Sequence, residues 1–311
     1  MRRFALSLCI VAPLLLFPAS TAVAQTPTPA PTPSPTPAPP PSTDIFLVEV
    51  VSREGLWRFG RPRNVTSREG YDNQPHFTPD GNALLYTSIR EDRQADIYRF
   101  DVRPGGAQTR VTMTKEDEYS PTPMPGGQYI SVVRVEADKT QRLWKFPRSG
   151  GEPSLVLENV KPVGYHAWAD EQTLALFVLG TPNTLQLADA RTGKAETILG
   201  NVGRSLQRVP DRSAFSFVHK VSDAEWLIKS FDLKTRAVNT LAPTLPAAED
   251  YVWTPDGRAL LMAKGSKLFM RRLGPDADWT EVADFTADGL KEITRLALSP
   301  KGDRLALVAR P

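Results

Sequence analysis

The sequence is poor in the residues that most often carry chemistry. It has one cysteine, Cys9, and three histidines, His76, His166 and His219. A lone thiol excludes a disulfide framework and a cysteine-rich zinc site. No G-x-S-x-G elbow, H-E-x-x-H, C-x-x-C or phosphate-binding glycine loop occurs, so the common marks of α/β-hydrolases, metalloproteases, dithiol enzymes and nucleotide binders are missing. Charge is nearly balanced, with 38 Lys and Arg against 35 Asp and Glu, and gives no basic excess of the kind nucleic-acid binding requires. Long apolar runs are scarce too. The mostly apolar stretch 4–17 is shorter than the roughly 20 residues of a spanning helix and is interrupted by Pro13.

What is present begins with that stretch. The charged start Met1-Arg2-Arg3, the apolar run and the small-residue site Ala22-Val23-Ala24 together predict a secretory signal peptide over residues 1–24, with an uncleaved anchor as the alternative. Cys9 follows Leu8, where a lipoprotein signal wants a small residue, so lipidation is not expected. Cleavage after Ala24 removes Arg2, Arg3 and Cys9, taking the formal charge from +3 to +1 and leaving no cysteine. A periplasmic or secreted protein follows, with no membrane span in its mature form. Residues 25–43 alternate Pro with Thr, Ala and Ser, a composition that cannot bury a core and favours polyproline II. That predicts an unstructured tether; an O-glycosylated stalk or a strip for a Pro-binding partner are the sharper readings.

Beyond the tether a turn motif repeats. Phe77-Thr78-Pro79-Asp80-Gly81 precedes the apolar alternation of 83–86, and returns as Trp253-Thr254-Pro255-Asp256-Gly257 and Leu298-Ser299-Pro300-Lys301-Gly302. Eroded copies stand at Met124-Pro125-Gly126-Gly127, Trp168-Ala169-Asp170-Glu171 and Val209-Pro210-Asp211-Arg212. The anchors 79, 125, 170, 210, 255 and 300 recur at a period that marks a propeller or a solenoid. Pro presets the second turn position, Asp bonds nearby backbone and Gly takes a positive φ, so each copy joins two antiparallel strands. A third strand follows in most units (97–100, 143–146, 185–187, 227–229, 268–270) and a short polar fourth ends near Val111, Leu157, Leu199, Leu241 and Val282. Four strands per unit make a propeller blade. The sixth copy stops after two strands, and the missing pair is found at the other end of the chain, at 45–50 and 63–66. The fold expected over residues 44–311 is therefore all-β: a six-bladed propeller of four-stranded antiparallel blades, its last blade closed by strands from both termini. An open solenoid, the alternative, would need polar capping repeats.

The Thr-Pro-Asp-Gly and Ser-Pro-Lys-Gly turns, each preceded by an aromatic or aliphatic residue and followed by two apolar strands, resemble the WD-repeat-like blades of TolB-type propellers. The resemblance covers about residues 44–311, and is strongest in the blades anchored at 79, 255 and 300. It implies an exported binding scaffold. TolB-type chains also carry an α/β domain before the propeller, in whose place this sequence has the Pro-rich tether.

In such a fold the first strand of each blade lines the central channel. Around the positions five to seven before the anchors, the residues differ from blade to blade, as a binding face is free to do. The candidate partner-binding rim is Asn73, Gln74, Glu118, Tyr119, Tyr165, Arg204, Glu249, Asp250 and Arg295, expected to take an envelope protein or peptide. Arg204 and Arg295, read as exposed, should tolerate charge reversal without loss of folding. The competing reading is a calcium-dependent hydrolase or lactonase, with Asn73, Glu118 and Asp250 supplying oxygens; the neighbouring arginines argue against it. No catalytic centre, resident metal or cofactor is expected, and the protein is expected to be a monomer. His76 and His166, three and four positions before their anchors, point in opposite strand directions, so no shared metal site is expected. The tryptophans, among them Trp144, Trp168, Trp226 and Trp253, occupy positions that are apolar in sister blades and are expected to pack between blades.

Overall fold

A computed structural model describes residues 40–103, 105–149 and 151–310. The expected signal peptide and residues 25–39 of the expected tether lie outside the described residues. In blades 1, 5 and 6 the chain turns on the hydroxyl before the turn proline. Buried Thr78 accepts the N–H of Ala83 at 3.0 Å, its own O–H lies 2.5 Å from Asp80 Oδ1, and Gly81 N–H closes on its carbonyl at 2.8 Å. Thr254 repeats this with Ala259 and Asp256, and Ser299 with Arg304 and Asp303. The hydroxyl thus satisfies a buried backbone donor that the hairpin would otherwise orphan.

The chain opens with β1 (Asp44–Arg53), β2 (Leu56–Phe59) and β3 (Arg63–Asn64). Blade 1 is β4 (Tyr71–Phe77), β5 (Ala83–Ile89), β6 (Ala95–Asp101) and β7 (Gln108–Arg110). Blade 2 follows as β8 (Asp117–Pro123), β9 (Tyr129–Val135), β10 (Gln141–Pro147) and β11 (Ser154–Leu155). Blade 3 is β12 (Val163–Trp168), β13 (Thr173–Val178), β14 (Thr184–Asp189) and β15 (Ala195–Gly200). Blade 4 contains β16 (Val202–Arg208), β17 (Ala214–Lys220), β18 (Trp226–Asp232) and β19 (Val238–Pro243), and blade 5 contains β20 (Tyr251–Trp253), β21 (Ala259–Lys264), β22 (Lys267–Arg272) and β23 (Thr280–Asp284). Finally β24 (Ile293–Leu298) and β25 (Arg304–Ala309) return to the start. Each of blades 1–5 is a four-stranded antiparallel sheet in sequence order.

Blade 6 closes the ring as the sequence predicts. β1 pairs with β25 from Asp44↔Ala309 to Glu49↔Arg304, and β3 pairs with β1 through Phe46↔Asn64 and Leu47↔Arg63. Two details differ. β1 runs four residues past the end of β25 and pairs there with β2, so the outer strand of this blade is split in two and the sheet has five strands. The fold also begins earlier than the tether boundary suggests: Thr43 is buried, bridges to Tyr71 and donates from its hydroxyl to the Asp72 carbonyl at 3.0 Å.

The core is six seams, one between each pair of neighbouring blades. The pleat divides each strand between two of them: in β25, Leu305, Leu307 and Ala309 face blade 5 while Ala306 and Val308 face blade 1. Tryptophans do more than fill space here. Trp253 Nε1 and the Tyr251 hydroxyl both donate to Ser216 Oγ of blade 4, at 2.8 and 2.7 Å. Trp168 Nε1 and His166 Nε2 meet Ser131 Oγ of blade 2 in the same way, at 2.8 and 2.6 Å. These side chains latch one blade's inner strand to the preceding blade's second strand. At the turns, a Cβ on Gly302 would stand 3.1 Å from the Pro255 ring of the preceding blade, and Gly302 has φ +70, so glycine is needed there twice over.

Candidate functional site

The inner strands do not keep an unbroken alternation. β4, β8, β12, β16 and β24 each carry a register shift at the channel, and Gln74 and Ser120 take φ of 56 and 54 at theirs. Bulges of this kind re-aim side chains. Here they decide which residues reach the channel and which are turned into a seam.

A cavity of about 100 Å³ occupies the channel and is lined from blades 1, 2, 3, 4 and 6 by their inner strands and from blade 5 by Asp250, just before β20. Five of the predicted rim residues meet around it: Gln74, Tyr165, Arg204, Asp250 and Arg295. Arg295 crosses the channel. From blade 6 it donates to the Tyr165 hydroxyl of the opposite blade 3 at 2.7 Å, lies 5.1 Å from that ring's centre, and pairs with Asp250 of blade 5 at 3.4 Å. Arg204 of blade 4 holds the other Asp250 oxygen at 2.5 Å. Burial pulls the Arg295 guanidinium down, but Asp250 and Tyr165 outweigh it and hold the group firmly charged. Tyr71 belongs to the same group: burial pushes its hydroxyl up to about 12, offset in part by Arg295. Tyr119 is likewise pushed up to about 12 by burial, with Asp117 next in effect. Blades 1, 3, 4, 5 and 6 thus each contribute one side chain, Tyr71, Tyr165, Arg204, Asp250 and Arg295, two phenols beside two cations that share one carboxylate, whereas Tyr119 of blade 2 packs against the seam of blades 2 and 3.

Other predicted residues are placed differently. Glu249 lines an adjoining groove, accepts the Arg204 N–H and pairs with Lys220 at 3.5 Å; a Cβ on Gly203 would collide with its carboxylate, so that glycine makes room for it. Gln74 accepts from both Thr87 Oγ1 and the Ser120 N–H at 2.8 Å, clamping blade 1 to blade 2. Asn73 and Glu118 are not at the open rim. Asn73 is buried and donates to Thr43 Oγ1, while Glu118, fully buried, accepts from Arg134 Nε at 3.1 Å and from Thr114; burial raises its pKa. The expectation that Arg295 is an exposed, freely replaceable residue is corrected as well, since its side chain is only 14% exposed and fully engaged, whereas Arg204 is 36% exposed.

The histidines also correct the sequence argument. Opposite directions on blades 1 and 3 aim both side chains at blade 2, which lies between them, and His76 and His166 line the same cavity together with Thr122. His166 is nevertheless committed to Ser131, and no group of three or more metal-ligating residues exists among the described residues. Tyr71 escaped the sequence reading because it lies eight residues before its anchor, two beyond its counterpart Tyr119; an aromatic opening an inner strand was the available signal.

No family model matches the chain, and no curated protein sequence matches it. Solved structures do resemble it. The putative TolB of Agrobacterium tumefaciens superposes with a TM-score of 0.67 at 16% identity, over 87% of this chain and 99% of that one. TolB of Acinetobacter baumannii gives 0.56 at 15% identity, over 86% of this chain and 64% of the other. Among the described residues no helix is long and apolar enough to cross a membrane. At these identities the likeness is one of architecture, and the chain has the six-bladed propeller fold of the TolB structures.

Proposed function

We propose that this protein is an exported, non-catalytic interaction module that binds a protein or peptide partner at the mouth of its channel. The observation that carries the reading is the group of Tyr71, Tyr165, Arg204, Asp250 and Arg295. The blades repeat in their turns and seams, yet five of them place a different or differently set side chain here. Tyrosine and arginine are the residues that dominate binding interfaces, because they offer large contact area and directed hydrogen bonds at a small entropic cost. Two arginines over one carboxylate leave a net positive mouth, which suits an acidic or polar segment of the partner. Export follows from the sequence of residues 1–24, with cleavage after Ala24.

Pull-down of envelope proteins by the exported protein tests the reading. Arg204→Glu should keep the melting temperature within a few degrees and weaken capture at least about tenfold, since removing one partner of a charged contact costs on the order of 2 kcal/mol. Undiminished capture by a folded Arg204→Glu variant sinks the mouth as the site. A calcium-dependent hydrolase draws no support from the geometry. Its three candidate oxygen donors are committed apart from one another: Asn73 to Thr43, Glu118 to Arg134, and Asp250 between two arginines. Thermal scans with Ca²⁺ and with EDTA should coincide, whereas a specific site at 100 times its Kd would add about 2.7 kcal/mol.

A further inference from the structure

The hairpin of β1 and β2 overhangs blade 6 and presents two unlike faces. Register pairs alternate sides along it. Val50↔Phe59 and Ser52↔Trp57 lie on one side, where Trp57 and Phe59 stack with centroids 6.4 Å apart against the seam of blades 5 and 6. Val51↔Arg58 and Arg53↔Leu56 lie on the other, which is open to solvent: Val51 is 52% and Leu56 70% exposed. The remaining exposed large apolar residues, Met113, Tyr129, Leu179, Val221 and Val238, are scattered over separate elements.

The open face of this hairpin is basic, with Arg53 and Arg58 on it and Glu54 at the turn. Arg61, just beyond β2, is paired with Asp288 at 2.9 Å. Among the described residues Arg53 and Arg58 have neither an ion-pair partner nor a side-chain hydrogen bond. The tip is also held in place. Glu54 and Gly55 take φ of 51 and 77, the tight turn that suits a twisted hairpin, and Arg272 of blade 5 donates to the Gly55 carbonyl at 2.8 Å. Arginines alone would be explained as protection of the unpaired edge of β2 against strand addition. Edge protection gives no reason to set Val51 and Leu56 in the open between them.

We propose that this face is a docking surface for an anionic lipid bilayer, with Arg53 and Arg58 at the headgroups and Val51 and Leu56 at the acyl boundary. Alternating cations and aliphatics on one rigid surface match an interface that offers both negative charge and apolar depth. The contact is weak by design of its size, and adds to whatever the partner at the channel mouth supplies. It does not rest on the proposed function, and either can fail without the other.

Amide exchange measured on the full chain tests it, because the readout is local to residues 51–59 and indifferent to residues 1–24. Vesicles of phosphatidylcholine containing phosphatidylglycerol should slow exchange across β2 and the turn, and pure phosphatidylcholine should not. Raised salt should reverse the protection in the unmodified protein. Replacing both arginines (R53Q with R58Q) should weaken vesicle binding by about fivefold per arginine, and Leu56→Ser should weaken it further, with melting temperatures unchanged. Equal protection on both vesicle types, or protection retained in the folded variants, overturns the proposal. So does protection that grows with protein concentration without lipid, which would make this face a contact between copies of the chain.

Discussion

At the scale of single residues, the serines that receive the latches are the most instructive. Ser216 Oγ accepts from Tyr251 and Trp253, both buried, and donates to the Gln207 carbonyl at 3.4 Å. Burial pushes the Tyr251 hydroxyl well above the ordinary tyrosine value, so it stays a neutral donor. Ser216→Ala would leave two buried donors without an acceptor, and each orphan costs about 1–3 kcal/mol. A loss of at least about 2 kcal/mol is expected in urea unfolding with an unchanged m-value; a loss below half of that would mean water replaces the serine. Trp168 and Trp253 were legible in the sequence as packing residues because they stand two places before their anchors, where blades 1 and 6 carry Phe77 and Leu298. Their hydrogen-bond role was not legible, because Ser131 and Ser216 lie in the preceding blades, 37 residues away. Asn73 and Glu118 are buried for a different reason: divergence between blades marks positions, not the direction of a side chain, and both residues lie beyond the register shift of their strands.

At the scale of elements, the sequence carried the repeat and the closure but not the overhang. A period shared by six copies averages out whatever one blade does alone, so the extension of β1 past β25 and the split of its partner into β2 and β3 left no mark on the alignment of anchors. Closure itself was readable because blade 6 lacked two strands that the N-terminal segment could supply. The prediction that follows is strict. Removing 44–50 takes away the third strand of blade 6, and with it Ile45, Val48 and their neighbours from the seams on both sides. Two seams then face water, and β25 becomes a bare apolar edge. Such a chain should show no cooperative thermal transition by calorimetry and should aggregate; an unchanged melting temperature would rule out the role assigned to β1.

At the scale of the whole molecule, the dependence of stability on pH follows from how this ring buries its ionisable groups. His166 is held neutral: burial, and then the nearby His76, pull it down from 6.5 to about 3. The unfolded chain therefore binds a proton on this residue between about pH 6.5 and 3 while the folded chain does not. Its contribution to stability is complete above about 6.5 and is lost as the pH falls, by up to about 1.4 kcal/mol per unit. His219 is shifted the same way by burial, and His76, which opens onto the channel cavity, is shifted in the same direction by the protein crowding around it; both add to the slope. Asp72, Asp96 and Glu118 act in the opposite sense, since burial raises them; what they contribute is present at low pH and lost as the pH climbs through their raised values. The histidine slope should accordingly stand out in the upper part of its window, just below 6.5, and be blunted nearer the carboxylate range. Urea unfolding at a series of pH values from about 7.5 to 5 measures it. His166→Gln should be less stable at neutral pH, having lost its fit to Ser131, yet show a slope shallower by up to one proton, with the remainder left to His76 and His219. A variant that loses stability on acidification as steeply as the parent would place the titrating group elsewhere in the ring.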